Sequence, residues 1–224
     1  MVGEVVGELL PVALGVAISP VPMIAVILML LAPHAKAASV GFLAGWVAGI
    51  TVVVVVVTLV VDPVDDSDPG DQSAFVSILK IVLGAAAVLL AVKQWRSRPR
   101  AGHEPVMPKW MSAIDTISPT KALGLGALLS GANPKNLALC LTGGVTIGSG
   151  DLSSGETVVA VAVFVLVGSV SVAVPVLGYL VARQRMQRPL DELREWLTVH
   201  NSAVMTVLLL VIGVAILGKG MAGL

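Results

Sequence analysis

Long apolar runs separated by short polar stretches set the first expectation for this chain. A membrane-spanning helix takes about 20 mostly apolar residues. Six runs qualify: about Val5 to Leu31, Ala37 to Val61, Ala74 to Val92, Thr120 to Ile147, Val158 to Ala182 and Ser202 to Gly218. In hydrocarbon only helices or closed barrels satisfy the backbone, and these runs lack the two-residue alternation of barrel strands. The expected fold is therefore an all-α integral membrane protein with six transmembrane helices. Composition agrees, with 56% hydrophobic and 12% charged residues, against about one quarter charged in an ordinary soluble domain. Glu4 and Glu8 stand where a signal peptide would carry basic residues. The first run therefore reads as a span.

A formal net charge of zero conceals a segregation of signs. Between the second and third runs lie Asp62, Asp65, Asp66, Asp68 and Asp71, and between the fourth and fifth lie Asp151 and Glu156, with no Lys or Arg. The other loops hold Lys36, then Lys93, Arg96, Arg98, Arg100, Lys109 and Lys121, then Arg183, Arg185, Arg188 and Arg194. Basic residues in short loops stay cytoplasmic. A multi-pass plasma-membrane protein with both termini outside is expected. Two cytoplasmic stretches carry an apolar helical face beside a tryptophan: Met107, Trp110, Met111, Ile114 and Ile117, and Leu190, Leu193 and Leu197 with Trp196. Each fits an interfacial amphipathic helix or a cap on the bundle equally well.

Three helices, a basic loop and three helices suggest an internal repeat. Run 1 contains Ser19-Pro20-Val21-Pro22 near its middle, and run 4 contains Ser130-Gly131-Ala132-Asn133-Pro134-Lys135 near its own. Runs 3 and 6 match more loosely, Lys80 to Gly84 against Leu209 to Gly213. Because three is odd, the halves enter the membrane from opposite sides, as in inverted-repeat transporters. The division is 1–94 for the first repeat, 95–119 for the basic linker and 120–224 for the second repeat.

Ser19-Pro20 and Asn133-Pro134 are helix-start signals, an N-cap residue followed by proline at the first helical position. A start signal in mid-membrane implies a helix broken or sharply kinked there. Its freed N–H groups and positive dipole end then face the protein interior. Lys135 lies beside one break, roughly 15 Å from either surface of a ~30 Å core. A lysine at that depth costs about 2.5–3.5 kcal/mol on insertion scales, so carbonyls, water or an anionic group should compensate it. No Asp or Glu falls deep in any run. The candidate substrate-binding residues are therefore Ser19, Pro20, Pro22, Lys80, Ser130, Gly131, Asn133, Pro134 and Lys135. Lys80 is close enough to the outer surface to snorkel.

Other features are weaker. Gly41, Gly45 and Gly49 make a small-residue stripe suited to close helix packing, within the chain or in a homodimer. Pro175 reads as a kink and Lys219 as an interfacial anchor. The single cysteine, Cys140, excludes an internal disulfide. Gly148 to Gly155 lacks the lysine of a phosphate loop. His34, His103 and His200 show no metal spacing, and no nucleophile–base set appears. No enzyme activity, catalytic residue, cofactor, metal or nucleic-acid partner is expected.

The arrangement resembles the lysine-exporter (LysE) superfamily, six-helix transporters with two inverted halves. Within it, the chain is similar to the actinobacterial glycolipid-addressing (GAP, or sulfolipid-addressing) family. The residues carrying this are Ser19-Pro20-Val21-Pro22, Trp110 with Ile114-Asp115, Ser130 through Asn136, and Leu193-Arg194-Glu195-Trp196-Leu197. Amino-acid exporters of the superfamily typically show Pro-Gly-Pro in helix 1, and Ser-Pro-Val-Pro departs from that. The resemblance implies movement of a polar glycolipid from the cytoplasmic to the outer leaflet, with envelope-lipid synthesis or export proteins as partners. The alternatives are a small-solute or amino-acid exporter and a non-transporting scaffold for envelope-lipid assembly. The cationic residues favour an anionic group on the substrate.

Overall fold

Every regular element in the computed structural model is helical; the structure describes residues 2–32, 35–61, 69–96, 114 and 117–222. Proline and cap residues divide the chain into α1 (Val2–Ala17), α2 (Pro20–Leu31), α3 (Ala35–Val61), α4 (Pro69–Arg96), α5 (Pro119–Gly131), α6 (Pro134–Gly148) and α7 (Ser154–Ala222). Pro20, Pro119 and Pro134 each occupy a first helical position, where the missing N–H costs nothing. Ser118 caps α5 by accepting from the Lys121 amide at 3.3 Å. The first and fourth apolar runs are thus two-helix elements, as the mid-run start signals predict. The axis bends by 54° between α1 and α2.

Three helices, α3, α4 from Val76 and α7, are each long and apolar enough to cross a membrane, and the bent α1–α2 pair makes a fourth. Taken singly, α5 and α6 have 13 and 15 residues, short of the span requirement of about 20. At 69 residues, a straight α7 would reach about 100 Å. It is interrupted at Ala182, whose φ of −140° and ψ of 55° are not helical. The fifth and sixth runs are the two limbs on either side of that kink.

The bundle pairs α3 with α5 and α6, and α7 with α1, α2 and α4. The Gly41, Gly45 and Gly49 stripe lies against α5: a Cβ at Gly45 would collide with the Leu123 carbonyl. From the other side, one at Gly126 would collide with the Phe42 carbonyl. Such backbone approach is what small residues permit between helices that cannot rely on hydrophobic exclusion in lipid. Phe42, Trp46, Ile50 and Val54 fill the interior beside this seam. Trp46 donates through Nε1 to the Gly168 carbonyl at 3.2 Å, tying α3 to α7.

The charge segregation has a three-dimensional counterpart. At one end, Gly150 packs on Val5, and Lys219 pairs with Glu8 at 3.0 Å. At the other, Gly41 meets Pro119 and Gln94 donates to Ser202 at 3.4 Å. That end carries Lys36, Lys93, Arg96, Lys121 and the arginines after Ala182. Between the two proposed forms of the second amphipathic stretch, packing favours a bundle cap. Leu190 and Leu197 are buried in the main core, as is Ile114, while Trp196 stays half exposed and stacks on His200. The aspartates at 62–68, His34, the side chain of Asp71, Asp115, and the 97–113 stretch with Met107, Lys109, Trp110, Met111 and His103 lie outside the described residues.

Candidate functional site

The first break exposes backbone acceptors. Pro20 has no N–H for the Val16 carbonyl, and Ile18 lies before the extended N-cap Ser19, so its carbonyl has no helical donor either. Ser19 between the two helices is extended, φ −120° and ψ 95°, and its side chain does not cap α2. The Ser19 amide reaches the Ala17 carbonyl at 2.8 Å, and the side-chain groups that satisfy the rest of this break come from other helices. Lys135 of α6 donates through Nζ to the Ile18 carbonyl at 2.8 Å and to Ser19 Oγ at 2.7 Å. Ser171 of α7 donates through Oγ to the Ala17 carbonyl.

The second break is satisfied locally. Asn133 is the N-cap of α6, its Oδ1 accepting from the Lys135 amide at 3.1 Å. Leu129, in the last turn of α5, has one of the carbonyls a helix end leaves without an internal donor. Asn136 donates to it through Nδ2 at 2.9 Å. Asn136 also accepts from Ser19 Oγ at 3.0 Å. A continuous chain therefore runs Lys135, Ser19, Asn136, Leu129, joining both breaks across more than one hundred residues of sequence.

This polar cluster is closed to solvent. Lys135 is 4% exposed, Ser19 3%, and Asn136 and Ser130 0%. An ammonium has three donors, and two reach acceptors here. Among the described residues the third has no protein acceptor, and no carboxylate pairs with Lys135. What the arrangement presents is an unneutralised cation and half-helix starts in a dry interior, suited to an anionic or strongly accepting group.

The candidate residues separate into three groups. Ser19 and Lys135 form the junction, with Pro20 and Pro22 buried beside it and Asn133 holding the start of α6. Ser130 turns back to the Ala127 carbonyl at 3.2 Å, and Gly131 lies against Gly49 and Val53 of α3. Pro134 faces outward. Lys80 does not join the cluster; it feels the charges of Glu8 and Lys219 at the acidic end. Asn136, the Ile18 carbonyl and Ser171 are the participants the candidate set lacks. A polar residue inside an apolar run was the available signal for Asn136 and Ser171. Among the described residues no group of His, Cys, Asp and Glu could hold a metal.

The family described as Sap, sulfolipid-1-addressing protein, matches residues 9–222. The chain belongs to that family. No curated protein and no solved structure matches it.

Proposed function

We propose that this protein moves a polar lipid with an anionic headgroup from the cytoplasmic to the outer leaflet, using the junction of the two helix breaks as its central site. The observation that carries the reading is Lys135: a buried lysine at the second break whose amino group bonds the first, with a free donor and no carboxylate partner. A charge in that position is expensive and marks a substrate or ion path by default. Family membership points the same way, since a sulfolipid carries a sulfur oxyanion. Lipid tails can stay in the bilayer while only the headgroup crosses. A free amino acid would bring an ammonium as well, and the junction offers it no carboxylate.

In this reading six spans form two inverted repeats of the lysine-exporter kind. The repeats are residues 1–94 and 120–224, joined by the cytoplasmic linker 95–119, with both termini outside. The charge segregation supports that orientation. In this reading the arrangement is an occluded state, its support being that Lys135 is bonded to Ile18 and Ser19 between α1 and α2 and is buried. A headgroup oxyanion replaces the Ile18 carbonyl and Ser19 hydroxyl as the ammonium's acceptors, and the breaks part as it enters. The test is reconstitution in liposomes with a labelled anionic lipid and, separately, labelled lysine or arginine. Lipid movement that falls to background in Lys135→Ala is the expected result. Amino-acid flux lost in Lys135→Ala, with lipid movement at background throughout, overturns it in favour of an exporter.

A further inference from the structure

A second feature of the molecule reaches the break from outside. Between α4 and α6 lies a groove of about 420 Å³, lined by Leu89, Leu90 and Lys93 on one wall and Pro134, Leu137 and Leu141 on the other. Its lining is apolar apart from Lys93 at one end. Along α4 it runs from Ala86 to Lys93, seven residues or about 10 Å of helix rise. That is a third of a ~30 Å hydrocarbon core, so the α4 wall belongs to one leaflet. Lys93, half-exposed Trp95 and Arg96 fix which one. All three lie at the basic end, and the pairing of tryptophan with basic residues marks the headgroup level of the cytoplasmic face. α6 runs away from the basic end, so on its wall Pro134 stands nearest Lys93 and Leu141 farthest from it; the residue after Pro134 is Lys135.

We infer that this groove is the lateral entry portal for one lipid of the cytoplasmic leaflet, with its anionic headgroup at Lys93 and an acyl chain along Leu89, Leu137 and Leu141. The inference rests on the transport reading above and adds the route. Charge complementarity selects the occupant. A cation at headgroup level over an apolar trough suits an anionic amphiphile, and an exposed lysine at the rim would be a poor seam for a second copy of the chain. Seated there, the lipid lies against the break itself. Parting α5 from α6 at Asn133-Pro134 then opens the way from Lys93 to Lys135 for the headgroup alone.

The experiment reads binding. The full chain is reconstituted in phosphatidylcholine vesicles carrying a minor fraction of phosphatidylglycerol with a photoactivatable acyl chain, and adducts are located by mass spectrometry. Adducts should concentrate on Leu89, Leu137 and Leu141 and be depleted by Ala138→Trp, which fills the groove. Lys93→Gln changes an exposed side chain and leaves folding intact. It should lower the preference for phosphatidylglycerol over a phosphatidylcholine photoprobe about fivefold, the worth of one basic residue at an anionic headgroup. Adducts spread evenly onto exposed Val52 and Val56 of α3, a preference that Lys93→Gln leaves unchanged, or crosslinks from the groove to a second copy each overturn the portal. Groove labelling as expected in a protein that moves no lipid leaves the portal standing and removes the transport reading. Lipid movement with no groove labelling does the reverse.

Discussion

The two helix breaks are built from the same signal and finished differently. Each is a cap residue followed by proline, Ser19-Pro20 and Asn133-Pro134. The two positions that follow are Val21-Pro22 in the first and Lys135-Asn136 in the second. The second break carries its own solutions: Asn133 caps α6, and Asn136 reaches the Leu129 carbonyl. The first closes only part of its gap locally, with the Ser19 amide on the Ala17 carbonyl at 2.8 Å, and leaves the Ile18 carbonyl to Lys135. Its hydroxyl is lent to Lys135 and Asn136 instead of capping its own helix. The first break therefore leans on the second through Lys135 and Asn136, and on α7 through Ser171. In the proposed transporter that dependence would serve as a gate, since separating the breaks has a cost that a ligand can meet.

The largest expected effect separates function from stability at Lys135. Lys135→Met leaves the Ile18 carbonyl without a donor, a loss of about 1–3 kcal/mol for a buried group. It also removes a buried ammonium, which recovers about 2.5–3.5 kcal/mol on insertion scales. The two nearly cancel. Lipid movement should drop to background while thermal unfolding in detergent stays close to the parent. A strongly destabilised Lys135→Met protein would mean that the lysine is chiefly structural, and the contrast between the breaks would lose its functional meaning.

Next comes the asymmetry itself. Ser19→Ala removes an acceptor from Lys135 and a donor from Asn136, so both breaks lose a bond, at about 1–3 kcal/mol for the groups left buried. Asn133→Ala removes one cap, at about 1 kcal/mol. Combined with Lys135→Met, Ser19→Ala should be strongly non-additive, because the two share a partner; Ser19→Ala with Asn133→Ala should be close to additive. Equal coupling in both cycles would erase the distinction.

Much of this was legible in the residues before any coordinates. The apolar runs located the helices because backbone satisfaction in lipid leaves few choices, and the Ser-Pro and Asn-Pro pairs located both breaks because cap chemistry is local. The meeting of Lys135 with Ser19 followed from the repeat argument, yet its acceptors did not. The Ile18 carbonyl is backbone and absent from any side-chain motif, and Asn136, which accepts from Ser19, was signalled only as a polar residue inside an apolar run. Lys80, a weaker candidate that lies near enough to the outer surface to snorkel, is placed by Glu8 and Lys219 and away from the junction. The fifth and sixth runs were legible as two limbs, and the kink at Ala182 divides them where the fifth run was read to end.

The smallest effect comes from a third helix start, which carries similar groups in water. Ser153 stands before α7 and accepts through Oγ from the Glu156 amide at 3.5 Å. Glu156 Oε2 in turn accepts from the Ser153 hydroxyl at 2.8 Å and from its amide at 3.0 Å. This is a reciprocal capping box. Those two bonds favour the carboxylate and hold the Glu156 carboxyl below its ordinary value of 4.5, the hydroxyl contributing most. A depressed folded value means that the box stabilises the helix start fully above the ordinary carboxylate value and loses that contribution as pH falls through the lowered one. Because Glu156 is fully exposed, the gain is screened and small. Carboxyl titration by NMR should find Glu156 below the ordinary value in the parent and returned toward it in Ser153→Ala, with lipid movement unchanged. If Ser153→Ala instead lowered movement as far as Asn133→Ala, cap chemistry at any helix start would matter equally. The special standing of the two buried breaks would then be lost.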